Sequence, residues 1–151
     1  MSETGPTRLA REHAASSIAR ELAHFRYQLR RFLRFSENAA RASGVTPQQH
    51  QLMLGVAGFT GRGWATISEL ADFLQERHNA VVGLVNRASQ RNLVRKEIVA
   101  RDRRFVRVEL APKGRKILRD LVALHRRELG RFHGGTGLLQ VPRLTGKRRT
   151  N

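Results

Sequence analysis

Two asparagines and a valine with helical spacing could read the edges of DNA bases. Asn79, Val82 and Asn86 are three and four residues apart, which places them on one side of a helix. In the major groove an asparagine amide pairs with adenine, and an apolar side chain contacts the methyl group of thymine. Gly83 lies on the same side, and its cost of roughly 1 kcal/mol within a helix is tolerable where a ligand approaches the backbone closely. The alternative is an ordinary amphipathic helix with an indifferent solvent face.

The opposite side of this helix is apolar and is predicted to pack inward. Its members share one narrow arc and are Val81, Leu84, Val85 and Ala88. Asn92 is expected to end the helix, because asparagine readily adopts the left-handed conformation found at helix C-termini. We call the helix from His78 to Asn92 the reader helix.

A two-stranded ribbon is predicted directly after the reader helix, from β-rich runs at residues 94–99 and 105–110. We call this ribbon the wing. Its loop contains three arginines, which are Arg101, Arg103 and Arg104. They could reach a neighbouring minor groove, and Asp102 could hold one guanidinium group by a bidentate pair. A solvated hairpin loop is the alternative. The other predicted DNA contacts, at the leading end of the reader helix or to phosphates, are Arg77, His78, Arg87, Arg95 and Lys96.

Two short helices are predicted ahead of the reader helix, since TPQQ at residues 46–49 and TISE at residues 66–69 both fit the capping-box pattern. The second of these short helices is followed by a turn at residues 75–77 and then by the reader helix. That order is typical of a helix-turn-helix, whose second helix reads DNA. Residues 45–111 are therefore predicted to form a winged helix-turn-helix module.

Long helices with apolar seams are predicted on both sides of this module, at residues 16–44 and 112–133. The first seam comprises Ile18, Leu22, Phe25, Leu29 and Phe32. Such seams pack against other helices, here within the chain and across a dimer, although a basic amphipathic helix can also lie on an anionic membrane. Residues 1–15 are expected to be disordered and residues 134–151 to be an irregular basic tail. The predicted fold class is mainly α with a small β-ribbon wing.

The composition favours a polyanionic partner and gives no support to catalysis. Lys and Arg number 29 against 12 Asp and Glu, for a net charge of +17. There is no cysteine for a thiolate metal site or a redox switch, and the six histidines show no metal-binding or catalytic spacing with carboxylates. We expect no cofactor and no metal. No apolar run is long enough to span a bilayer, and no signal peptide is evident. The expected location is therefore the cytoplasm, without a membrane partner.

Four residues on the inner side of the terminal helices could contact a small molecule, although each could equally be ordinary packing. They are His24, Phe25, Phe32 and His50.

From about Phe25 to Phe132 the sequence resembles the MarR family of winged helix-turn-helix transcriptional regulators. The segments ISELADFL, NAVVGLVNRASQRNLVRK and DRRFVRVELAPKGRKIL stand in the family's order and spacing. In the last segment the matching residues are Asp102, Arg104, Val108, Leu110 and Gly114. The chain departs from the family's pattern at Arg77, where a serine cap is usual, at Ala111, where a threonine cap is usual, and in its tail.

The resemblance implies a two-fold dimer joined by the terminal helices. The reader helix would enter the major groove, and Arg103 or Arg104 the minor groove. It also implies a repressor that leaves double-stranded DNA when a small aromatic or anionic effector binds. A basic protein that coats DNA or RNA without sequence choice is the alternative function, and its affinity would collapse with added salt.

Overall fold

A computed structural model describes residues 7–98 and 105–132. Its elements, in chain order, are α1 (Arg8–Ala42), α2 (Pro47–Leu54), a π-helical turn (Gly55–Phe59), β1 (Trp64–Thr66), α3 (Ile67–Leu74), α4 (His78–Gln90), β2 (Val94–Ile98), β3 (Val106–Leu110) and α5 (Pro112–Phe132). This is the predicted fold class, a mainly α chain with a small antiparallel sheet. The predictions for the wing loop, Arg101, Asp102, Arg103 and Arg104, and for the tail at 134–151 lie outside the described residues.

The chain divides into two compact units. One contains the described parts of Met1–Phe32 and Glu128–Asn151, and the other is Leu33–Arg127. The second unit holds the helix-turn-helix, the sheet and the hydrophobic core. None of the helices in the described ranges is long and apolar enough to cross a membrane.

Helix α1 begins at Arg8, which corrects the expectation of disorder up to residue 15. The segment Leu9–Ala15 has no core to pack on and is exposed, but it consists largely of good helix formers. An ion pair with i, i+4 spacing, Arg8 Nε to Glu12 Oε1 at 3.0 Å, supports the first turns. The apolar periodicity that predicted the start at residue 16 detects burial, and this part of the helix forms without it.

Both predicted capping boxes are present. The hydroxyl of Thr46 accepts from Gln49 N at 3.1 Å while the Gln49 side chain accepts from Thr46 N at 3.1 Å. Thr66 and Glu69 make the same reciprocal pair at the start of α3, at 3.2 and 2.9 Å. The hydrogen bond from the Thr66 backbone N–H lowers the pKa of the Glu69 carboxyl, and Arg62 adds to that lowering. Each box satisfies backbone donors that a helix start leaves unpaired.

The sheet has three strands in the order β1-β3-β2, all antiparallel. Strand β1 was not predicted, since three residues are too few to show an alternating pattern. It pairs Trp64 with Glu109 and Thr66 with Arg107. Because Thr66 also caps α3, β1 fixes where the first helix of the helix-turn-helix leaves the sheet.

The inward side of α4 is confirmed. Val81, Val85 and Ala88 are at most 1% exposed, and Leu84 is 8% exposed. These side chains join a core that includes Leu52, Leu70 and Leu121 from three other helices.

A single backbone junction joins α4, the sheet and α5. Asn92 has the predicted left-handed conformation, with φ of 58°, and the next residue, Leu93, donates to Ala88 O at 3.0 Å. The Leu93 carbonyl then accepts from Ala111 N at 3.0 Å, one residue before α5 begins. Gly114, in the first turn of α5, is buried against the same carbonyl.

We expect Gly114→Ala to destabilise the protein by about 3 kcal/mol, the upper end for overpacking a core. A Cβ atom at Gly114 would lie 2.0 Å from Leu93 O and 2.8 Å from Leu93 C, and this backbone cannot move without breaking the bond to Ala111. Gly130→Ala is the matched control in the same helix, because its Cβ meets nothing within 4 Å. Urea unfolding of the two variants measures the difference, and equal stability would refute the close contact.

Candidate nucleic-acid interface

The leading end of α4 is polar, exposed and without a side-chain cap. Arg77 is the N-cap residue, and its side chain makes no capping hydrogen bond. Arg77, His78 and Asn79 are all exposed. The unpaired N–H groups of this first turn, the helix dipole and two basic residues together favour an anion such as a DNA phosphate.

In the middle of the outward side of α4, Val82 is less exposed than the sequence suggests. Val82 is only half-buried, and part of its side chain packs against the core. At Gly83 an added Cβ atom would meet one atom, Arg87 Nη1 at 3.2 Å, which is the end of a flexible side chain. The backbone at this position is therefore open to a partner that approaches α4 from outside.

Further along α4, Asn86 is linked to the sheet. Lys96 Nζ donates to Asn86 Oδ1 at 2.6 Å. Lys96 faces α4 because it pairs with the buried Val108 of β3, and side chains alternate between the faces of a strand. The structure thus brings together two of the predicted site residues, one from the reader helix and one from the wing.

Arg95 and Arg87 do not join that pair. Arg95 pairs with Glu109, on the opposite face of the ribbon from Lys96. Arg87 is exposed and lines an open cleft of about 370 Å³ together with Glu76 and Ala80 and the N-terminal residues of α2. Neither arginine therefore shares the contact between Lys96 and Asn86.

Arg91 is a structural residue of this region that sequence reasoning missed. Its guanidinium group donates to Gly44 O at 2.7 Å and to Gln49 Oε1 at 3.1 Å. The bonds fix the end of α4 to the start of α2, over separations of 47 and 42 residues. No local pattern in the sequence could signal contacts at that range.

A second missed cluster surrounds the only tryptophan of the chain. Two guanidinium groups contact the ring of Trp64, with Arg62 Cζ at 4.0 Å and Arg107 Cζ at 4.7 Å from the ring centroid. Arg62 also makes an ion pair with Glu69, in which Nη2 lies 2.6 Å from each of the two carboxylate oxygens. The two contacts of Arg62 tie β1 to the first turn of α3, and Trp64 offers an intrinsic fluorescence probe at the base of the wing.

Comparison with known proteins finds a family with the same winged helix-turn-helix. Residues 43–104 match the family model described as MarR family. The match covers the winged helix-turn-helix module, so this part of the chain has the MarR-family pattern. That family consists of DNA-binding transcription regulators, and the match supports this class for the chain.

Solved structures of MarR proteins share the fold. A MarR family protein from Bacillus stearothermophilus is 21% identical, with a TM-score of 0.68 over 80% of this chain and 82% of that one. BpsR of Bordetella bronchiseptica, solved for the regulation of its DNA binding by 6-hydroxynicotinic acid, is 20% identical, with a TM-score of 0.60 over 78% and 88%. The M. tuberculosis transcriptional regulator MOSR, in complex with DNA, is 28% identical, with a TM-score of 0.57 over 77% and 82%. A comparison with curated proteins finds no match.

The four predicted effector residues fall in different units and environments. His24, Phe25 and Phe32 lie on α1 in the first unit, where His24 is exposed and the two phenylalanines are half-buried. His50 lies on α2 in the second unit and is 1% exposed. In the part of the chain that the structure describes, no cluster of three or more His, Asp or Glu residues could hold a metal ion.

His50 is buried beside a second histidine. The ring of His125, on α5, is centred 4.9 Å from the His50 ring. Within the described residues, neither ring nitrogen of His50 has a hydrogen-bond partner. His125 is held in place, because its Nδ1 donates to Leu121 O at 2.7 Å and its Nε2 lies 2.8 Å from the Ser36 hydroxyl. Burial, and then the neighbouring His125, lower the pKa of His50 to about 4.

We expect stability to fall by about 2 kcal/mol from His50 alone between pH 8 and pH 5. The pKa of His50 is 6.5 in the unfolded chain and about 4 in the folded protein. As the pH falls from 8 to 5, the unfolded chain therefore binds a proton that the folded protein does not, and acid favours unfolding. His50→Leu removes the group, and urea unfolding at both pH values should show a smaller loss of stability. The same loss in both proteins would contradict the buried, neutral imidazole.

Proposed function

We propose that the chain is a sequence-reading, dimeric repressor that leaves double-stranded DNA when a small aromatic or anionic effector binds. The outward side of α4 carries this proposal. It presents the side-chain amides of Asn79 and Asn86 and an open backbone at Gly83, without a carboxylate among them. Uncharged donors and acceptors of this kind distinguish base pairs, whereas a purely basic face would bind any duplex.

Phosphate contacts would supply the affinity around this reading face. Arg77 and His78 stand at its leading end, and Arg87 and Arg95 lie exposed beside it. We propose that Arg101, Arg103 and Arg104 of the wing loop add minor-groove contacts, with Asp102 holding one guanidinium group. Contacts of this type fix the register of the protein on DNA and make binding sensitive to salt.

The proposed homodimer is supported by apolar side chains that α1 leaves uncovered. Ile18 and Leu22, members of the predicted seam, are each 57% exposed, and Leu9 and Tyr27 are exposed to a similar degree. A second copy of the chain would cover them. Two reader helices related by two-fold symmetry would then face two half-sites about 10 base pairs apart.

The effector is supported by the unpartnered ring nitrogens of His50 and, by analogy, by BpsR, whose DNA binding is regulated by 6-hydroxynicotinic acid. A carboxylate or hydroxyl group of a small aromatic molecule could satisfy a buried imidazole. His24, Phe25 and Phe32 remain candidates for apolar or ring contact. The coupling between effector and DNA would be on the order of 1 to 3 kcal/mol.

A second candidate function is a basic protein that coats DNA or RNA without sequence choice, and the net charge of +17 favours it. Selection of bound duplexes from a random DNA pool at about 200 mM salt separates the two functions, because nonspecific binding fades there. The proposal expects an enriched inverted repeat. Absence of enrichment, with binding lost on adding salt, would replace the regulator by the coating protein.

We expect Gly83→Ala to weaken DNA binding by about tenfold or more while leaving the protein folded and up to about 1 kcal/mol more stable. The new methyl group displaces only the end of Arg87 in the free protein, but it occupies the space that a base edge needs. Gly58→Ala adds the same group at an open position of the π-helical turn and serves as the control. Urea unfolding and fluorescence anisotropy of labelled operator DNA give both quantities, and unchanged affinity would show that DNA does not approach α4 at Gly83.

A further inference from the structure

The contact between Lys96 and Asn86 fixes the orientation of the asparagine amide. An ammonium group can only donate hydrogen bonds, so the amide atom that faces Lys96 Nζ at 2.6 Å is the oxygen. Charge-assisted bonds of this length are among the stronger ones in proteins. The amide nitrogen of Asn86 must then point away from Lys96, and within the described residues it makes no hydrogen bond of its own.

This orientation changes what Asn86 can read. A bidentate contact to adenine needs one acceptor, for the N6 amino group, and one donor, for N7. Lys96 takes one of the two lone pairs of the Asn86 oxygen and sets a positive charge beside the other, which disfavours approach of the adenine amino group. The amino group of Asn86 stays available as a donor. The two remaining N–H bonds of Lys96 are donors as well. Together the two side chains present donors, and a base with two acceptors at its major-groove edge is their complement.

Guanine presents such an edge, because both N7 and O6 are acceptors. We propose that Lys96 and Asn86 form a donor pair that selects guanine in each half-site, and that Lys96 is the residue that determines this choice. The inference rests on the proposed function, since it needs a reader helix in the major groove. It departs from the adenine contact that the sequence alone predicts for Asn86.

Asn79 provides an internal contrast. It lies seven residues before Asn86 on the same side of α4, about 10 Å away along the helix axis, and it is exposed. No described lysine or arginine holds its amide. Asn79 therefore keeps both a donor and an acceptor and remains suited to adenine. The two asparagines of the reader helix are chemically identical but would read different bases.

The geometry also sets Lys96 apart from its neighbour Arg95. Both are basic, exposed residues of β2, but Arg95 lies on the other face of the ribbon, opposite Glu109. Loss of either charge removes one potential phosphate contact. Only loss of Lys96 releases the amide of Asn86, so the two variants separate an electrostatic effect from a change in base choice.

The test is selection from a random DNA pool with the wild-type protein, Lys96→Met and Arg95→Met, followed by affinities for duplexes that differ by one G·C to A·T change. The wild-type protein and Arg95→Met should prefer guanine at the selected position by about 5- to 100-fold. Lys96→Met should lose that preference or invert it toward adenine, with the other positions of the site unchanged. Asn86→Asp, which keeps the link to Lys96 but removes the amino donors, should also lose the preference for guanine.

Two results would overturn the inference and leave the proposed function intact. One is a wild-type site without a guanine preference that depends on residues 86 and 96. The other is a uniform loss of affinity in Lys96→Met with guanine still preferred, which would make Lys96 a phosphate contact. A wild-type protein that selects no sequence at all would overturn the proposed function together with the inference. Thermal unfolding of each variant checks that the substitution leaves the fold intact.

Discussion

The structure of the second unit depends on the backbone around Leu93. Its N–H closes the end of the reader helix, and its carbonyl receives the N–H of Ala111 where β3 gives way to α5. Gly114 allows the first turn of α5 to approach that carbonyl more closely than any other residue could. Because one residue takes part in the end of α4, the start of β2 and the start of α5, the positions of helix and wing are coupled. A shift of α4 would therefore also displace β2 and the start of α5.

The local features of this fold were predictable because their causes are local. Capping boxes act over three residues, so both were found at Thr46 and Thr66. The apolar arc of α4 repeats at helical spacing, and all four of its members are buried. The left-handed turn at Asn92 needs only a suitable residue at a helix end. The resemblance to the MarR family has a different basis, which is the match of three sequence segments in the family's order and spacing.

Features that depend on chain register could not be predicted in the same way. Strand β1 is three residues long and exists because β3 offers it an edge. Arg91 reaches Gly44 and Gln49 only after the helices have packed. His50 is an effector candidate from its type, but its burial and its contact with His125 could not be predicted, because they come from the packing of α2 and α5. The start of α1 at Arg8 was missed for a different reason, since an exposed helix shows no burial pattern.

The contact of Lys96 with Asn86 illustrates how a basic protein can still choose among sequences. A charge of +17 attracts any nucleic acid, so discrimination must come from donors and acceptors whose positions are fixed before DNA arrives. A free asparagine can rotate its amide and accept several bases, whereas one held at its oxygen by an ammonium group cannot do so without losing a charge-assisted bond. Lys96 lies on the wing and Asn86 on the reader helix, and the Leu93 junction couples these two elements. The same backbone junction that shapes the fold therefore also fixes the donor pattern that the base edge would meet.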